Sequence, residues 1–370
     1  MAAPARRAPA WVSVTLLPVI NLALALLLSG VVVVLIGESP LRALRLLIAG
    51  AFGNGEAIGY TLYYATNFVF TGLAVAVAFH GGLFNIGAEG QAYIAGLGVA
   101  LLCLGAGGWP TILVVPAAIA VAAACGAAWA FVPAWLQARR GSHVVITTIM
   151  FNFIAAALMT HLLVNVLIKP GQQSPETREF DPSTWLPQLH DVVRSLGWDI
   201  GRSPLNLSAL FALGAGALVW FYLWHTRWGY ELRALGHNET AAVYAGIPAA
   251  RTVIVTMCMS GALAGLMSLN EVMGVQRRLL LNMPGGAGYV GIAVALMGRN
   301  HPVGITLAAI LFGALYQGGS ELSFDMPKLT RDMVVVIQGL IILVCGALEH
   351  ALRRPVEALF RRPARAEGRT

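Results

Sequence analysis

Three polar side chains stand in the run GLFNIGAEGQ at residues 82–91: Asn85, Glu89 and Gln91, with Phe84 beside them. Asn and Gln each donate and accept hydrogen bonds, an ionised Glu only accepts, and Phe offers a flat apolar face. That mixture suits a neutral, hydroxyl-rich solute carrying a ring. Asn85 and Glu89 are four residues apart, so on a helix they would share a face. Gly87, Ala88 and Gly90 would let a neighbouring helix or a solute approach the backbone. The same residues also suit a structural clasp, in which Glu89 accepts from backbone N–H groups of a broken helix, or a gate. Asn152, after TTIMF, and Asn270-Glu271, after LMSL, are candidates for the same path or for bonds between helices. Asn67, His161 and Gln338 are read as such interhelical bonds.

No reactive constellation accompanies these residues. The eight histidines are scattered, with no H-E-x-x-H and none at metal-ligand spacing. The four cysteines, Cys103, Cys125, Cys258 and Cys345, lie singly in apolar runs and read as small buried hydrophobes. A phosphate-binding loop needs a Lys after Gly, yet the only two lysines, Lys169 and Lys328, each adjoin Pro. The expectation is no catalytic residue, no metal and no cofactor in this chain, so any use of ATP must enter through a partner.

The elements that hold such residues are dictated by composition. Of 370 residues, 58% are hydrophobic and 11% charged, with mean hydropathy +0.73; soluble domains carry about 25% charged residues. The class is all-α and integral to a membrane. About 20 apolar residues span the hydrocarbon as a helix, and candidate spans are 11–37, 57–80, 90–107, 110–136, 144–168, 205–226, 251–270, 286–298, 303–319 and 331–349. That predicts ten transmembrane helices, within a range of eight to ten, over a membrane domain at 11–350. The span at 286–298 is short and is separated from the next by Arg299, Asn300 and Pro302, so these two read as broken half-helices. The first span is longer than a signal-peptide core and reads as a retained anchor.

Arginines flank both ends, in a basic stretch at 1–10 and a basic tail at 351–370. With an even span count they place both termini in the cytoplasm and favour membrane lipid over nucleic acid as neighbour. The same parity puts Arg277-Arg278 outside, against the rule, so either they cap a shallow re-entrant segment or the count fails near them. The polar stretch 169–204 becomes an extracytoplasmic loop, either a solvated connector or a docking surface.

The loop at 227–250 is punctuated like a helix. Asn238 is a good N-cap, Glu239 suits the first turn, Ala241, Ala242 and Ala245 give a small smooth face, and Gly246 and Pro248 stop it. A helix of about two turns with so little to bury suits a groove on another protein, or is a short surface helix with no partner.

Those residues carry a resemblance. ALGHNETAAVYAGI (234–247), TGLAVAVAFHGGLFNIGAEGQ (71–91) and GSHVVITTIMFNFIA (141–155) look like the permease subunits of ATP-binding-cassette importers. The nearest group is the branched-chain amino acid, simple-sugar and nucleoside permease family, over about residues 57–350, and GLFNIGAEGQ most resembles its nucleoside-type members. Many relatives carry Asn-Glu where Ser142-His143 stand, so His143 inherits no role. The resemblance implies a chain in a bacterial cytoplasmic (inner) membrane. It would pair with a second permease, an ATPase subunit and an extracytoplasmic solute-binding protein or lipoprotein. It would carry a small neutral solute, a nucleoside or alternatively a simple sugar of ribose or galactose type. Gly236, Asn238, Glu239, Ala241, Ala242, Ala245 and Gly246 would form the coupling segment held by the ATPase. An ion-coupled transporter is the rival, and Glu89 is its one credible relay.

Overall fold

A computed structural model gives the fold and describes residues 16–169, 171–195, 197, 201–326, 328–329, 333–337, 339–340, 343–344 and 355–356. The helices run in the order α1 (Leu17–Leu35), α2 (Pro40–Phe52), α3 (Gly55–His80), α4 (Ala88–Gly105), α5 (Thr111–Arg140), α6 (Val144–Asn165), α7 (Leu189–Ser195), α8 (Ser208–His225), α9 (Arg227–His237), α10 (Glu239–Tyr244), α11 (Ala249–Ser268), α12 (Ala287–Met297) and α13 (Pro302–Asp325). α11 continues as a π-helix over Leu269–Gln276. Among the described residues there is no strand, only two isolated bridges.

The chain is an all-helical polytopic membrane protein. Seven described helices are long and apolar enough to cross a membrane, or eight if α1 and α2 form one bent span. The expected ten are not reached for two reasons. α12 has 11 residues, about 16 Å of helix, roughly half the hydrocarbon thickness. The span expected at 331–349 lies largely outside the described residues, as do Gln338 and the basic ends 1–10 and most of 351–370.

The chain divides into two units. Residues 1–50 and 318–370 form one, in which Gly50 packs on the Glu321 side chain and an apolar groove of about 760 Å³ runs between Leu26, Leu44 and Leu322. Residues 51–317 form the other and hold every candidate site residue.

Within this larger unit α3 is the axis. It opens on Asn54, whose side chain accepts from Ala57 N–H, and nearly all its residues from Ala65 to Ala78 are buried. α5 and α11 meet backbone to backbone: a methyl on Gly126 would lie 2.1 Å from the Gly261 carbonyl, and one on Gly265 would lie 2.4 Å from that of Ala122. Helices in lipid lack a hydrophobic drive to associate, so such small-residue seams let dispersion and close approach hold them. The outer faces of α6 and α8 remain apolar, with Ile146, Phe153, Leu213 and Phe221 more than half exposed.

The expected break between 286–298 and 303–319 is present, but only the first of the two is a half-length helix. α12 and α13 are joined by a tight turn through Arg299 and Asn300, both at positive φ, and α13 is a full-length helix. An interruption also lies before α12, at 277–286, where Pro284 and two positive-φ glycines, Gly285 and Gly286, stop helix formation. A second interruption, 81–87, separates α3 from α4.

One end of the unit carries α9 and α10; the opposite end carries the segment 171–195. There the Thr177 and Phe180 N–H groups donate to the carbonyls of Leu279 and Arg277, and Arg278 pairs with Glu176 at 2.9 Å. The Arg277 guanidinium sits over the Trp185 ring at 3.8 Å. Thus Arg277-Arg278 lie with the 171–195 segment, where an acid and an aromatic face meet their charge. Asp181 in this segment is exposed; the Ser183 N–H donating to it holds its carboxyl below the usual range.

Candidate functional site

The two interruptions meet. Glu89, in the first turn of α4, accepts from Gly286 N–H and Gly288 N–H, both at 2.8 Å, and so caps the start of α12. A helix start leaves N–H groups without partners and carries partial positive charge, and a carboxylate satisfies both. Gly288 is packed so tightly on α4 that a methyl there would lie 2.3 Å from the Glu89 nitrogen. α12 then runs toward the α9 and α10 end, where the His80 ring bonds the Asn300 carbonyl at 3.1 Å. Thr71 packs on Gly291 of α12, nine residues before His80, or about 13 Å along α3. Glu89 therefore lies well inside the bundle.

Asn85 is not on a helix, because α4 begins at Ala88. The expected shared helical face with Glu89 therefore does not form. The Asn85 side chain folds back instead: its oxygen accepts from Gly87 N–H at 2.8 Å, while its amide donates to Gln91 at 2.9 Å and to the Ser260 hydroxyl at 2.8 Å. Ser260 in turn donates to the Ala74 carbonyl on α3. Asn85 and Ser260 are fully buried and Gln91 almost so. Asn152 on α6 reaches the same segment, accepting from Gly90 N–H and donating to the Ile86 carbonyl, both at 2.9 Å. The close approach expected of Gly90 is thus used by α6. Phe84 is partly exposed and meets Phe79 edge-on.

Tyr289, on the first turn of α12, completes this node. Its hydroxyl lies 3.3 Å from the Asn152 amide and the residue is 47% exposed, so a bonded aromatic stands on the same helix turn that Glu89 caps. Sequence reading missed it, though a lone aromatic directly after GGAG was the available signal.

Asn270 and Glu271 build a second node. Glu271 is buried and accepts from the Tyr63 hydroxyl at 2.5 Å and the Asn67 amide at 2.7 Å. Asn270 donates to Asn67 at 2.8 Å and accepts from Asn206 and Ser208 at 2.8 and 2.9 Å. These groups lie on the π-helical end of α11; such widened turns recur where side chains must be aimed. The expectation for Asn67 as an interhelical bond holds. That for His161 does not, since its ring bonds Asn165 one turn along the same helix. Asn67 is seven residues from Ala74 on α3, so the nodes are about 10 Å apart. Tyr63, Asn206 and Ser208 were not legible as members, because their partners are 62 to 208 positions away.

The helix in the 227–250 loop forms as α10. The Asn238 side chain accepts from Ala241 N–H at 3.0 Å, Glu239 occupies the first turn, and Gly246 stands at φ 83. It is shorter than the two turns expected, at six residues. Ala241, Ala242 and Ala245 do not share one outward face: Ala242 is buried against Leu235 and Ile247 and anchors the helix, whereas Val243 and Tyr244 are exposed, Tyr244 to 89%. Gly236, at the end of α9, touches the first interruption. A methyl on it would lie 2.2 Å from the His80 carbonyl and 2.8 Å from the Gly82 nitrogen.

Residues 57–345 match the family described as branched-chain amino acid transport system / permease component. A guanosine ABC transporter permease protein of Bacillus subtilis, NupP, is 34% identical over 91% of the chain and 94% of its own length. The glucose ABC transporter permease protein TsgB13 of Haloferax volcanii is 31% identical over 99% and 97%. The nucleoside ABC transporter permease protein NupB of Lactococcus lactis is 31% identical over 87% and 89%. No solved structure matches the chain.

Proposed function

We infer the function from one premise: this chain belongs to the branched-chain amino acid transport system / permease component family. It is the membrane permease of an ATP-binding-cassette importer, and its solute is a nucleoside. The substrate class is supported by the guanosine and nucleoside names of two relatives that align with most of the chain. A simple sugar is the second reading, favoured by the glucose permease among the same relatives.

The observation that carries the path is the meeting of two interrupted helices at Glu89, Gly286 and Gly288. Interrupted backbone is tolerated in a membrane only where protein or a cavity satisfies it, and transporters place solute sites at such breaks. Glu89, Asn152 and the Tyr289 ring would offer hydrogen bonds and a face for a base, with Phe84 further along the segment. Asn85 and Gln91, buried and bonded to each other, act one layer behind and hold the 81–87 segment in shape. Asn270 and Glu271 brace α11 against α3 higher in the bundle.

ATP hydrolysis occurs on a separate subunit. A second permease pairs with this one in the cytoplasmic (inner) membrane, and a binding protein or lipoprotein docks at the 171–195 end. Both termini and α10 face the cytoplasm. α10 seats in the ATPase, with Tyr244 as its outward contact, Asn238, Glu239 and Gly246 fixing its ends, and Gly236 passing its motion to residues 81–82.

The test is uptake of radiolabelled guanosine by cells with and without the gene, and by cells carrying Glu89→Ala at an unchanged membrane level. Uptake should vanish on deletion, persist in the presence of excess ribose or glucose, and fall at least tenfold in Glu89→Ala. Loss of sugar uptake alone on deletion refutes the nucleoside reading and leaves the permease.

A further inference from the structure

A cavity of about 450 Å³ opens where α8, α9 and α11 converge. Arg227, Trp228 and Glu231 of α9 line it, and Arg251, Val255 and Met259 of α11 face them. We propose that it binds the phosphate headgroup of an anionic phospholipid, with the start of an acyl chain running along α11.

Three observations carry this. The charge is unbalanced: Arg227 is shared with Glu231 at 3.4 Å, whereas Arg251 makes no hydrogen bond or ion pair among the described residues. Arg251 also sits in the first turn of α11, whose N-cap, Pro248, supplies no side-chain acceptor. A cation at the positive end of a helix is disfavoured unless an anion joins it, and guanidinium pairs with phosphate oxygens in two-pronged fashion. Finally, residues 251, 255 and 259 are spaced at four, so they form one stripe along the helix. That stripe is charged at its outer end and apolar where it enters the span, matching a lipid that has a phosphate at one end and methylenes at the other. Trp228, 59% exposed at the mouth, belongs to the residue type that favours the headgroup layer. A free phosphate would use the arginines and leave Val255 and Met259 unused.

The full-length protein in mild detergent should be examined by native mass spectrometry after addition of phosphatidylglycerol, phosphatidylcholine of the same acyl chains, or inorganic phosphate. Phosphatidylglycerol should remain bound while phosphatidylcholine is lost, and excess phosphate should not displace it. Arg251→Gln should weaken retention about tenfold, Arg251→Lys less, and Arg227→Gln with Arg251→Gln more than either. Arg251→Lys guards against misfolding, since it keeps the charge and must outperform Arg251→Gln at equal monodispersity. Equal retention of the two lipids, undiminished retention in the double variant, or displacement by phosphate alone overturns the proposal.

Discussion

Glu89 shows how a costly residue is made tolerable inside a membrane. Its two oxygens are matched to two backbone N–H groups that bond nothing else among the described residues. Removing it in Glu89→Ala leaves both donors unsatisfied away from water, a loss of roughly 2–5 kcal/mol. Glu89→Gln keeps an acceptor and the shape, so thermal unfolding in detergent should rank wild type above Gln and Gln above Ala. Equal midpoints for all three would remove the capping role. The types at 85, 89, 91, 152, 270 and 271 were legible because polar residues are conspicuous in apolar sequence. Their pairing was not. Asn85 bonds Ser260, 175 positions away, and Glu89 bonds Gly286, 197 positions away, and a sequence read locally holds no record of such distances.

Elements were read well where their signals are local. α10 starts on Asn238 and stops before Gly246, as the capping residues require. Its orientation was misjudged, because burial of Ala242 depends on Leu235 and Ile247 beyond the helix itself. Gly246→Ala forces a side chain into the left-handed region at a cost of about 1 kcal/mol, and Tyr244→Ala strips the most exposed face of α10. Both should lower solute-stimulated ATPase activity of the reconstituted importer while leaving ATPase association in Gly246→Ala detectable by co-purification. Full stimulation in both would exclude α10 from coupling. The break before α12 was written in the sequence as Pro284, Gly285 and Gly286, but the apolar run on its far side put 286–298 among the ten spans even though it read as short. Hydropathy measures length and composition; it does not register that the chain enters the bundle unwound.

For the whole molecule, class and membrane residence followed from composition alone, while the number of crossings did not, since half-length helices and bends defeat a window of about 20 residues. Orientation can be tested directly. In a cysteine-free background, a cysteine at the exposed Glu179 should react with an impermeant maleimide in intact cells. One at Tyr244 should react only after the membrane is opened. The reverse pattern would invert the assignment of both ends. The native thiols make that background attainable, for Cys103, Cys125 and Cys258 are free of disulfides.

The meeting of Gly236 with Gly82 and the His80 carbonyl has a mechanical meaning. Contacts between side chains are compliant, because a rotamer can turn and absorb a displacement of an ångström. Here two main chains touch with nothing between them. Such a joint would have little play, so a displacement of α9 would pass to the 81–87 segment with little loss. On the proposed path, side chains around Glu89 and Tyr289 would be exchangeable to suit a new solute without altering this joint.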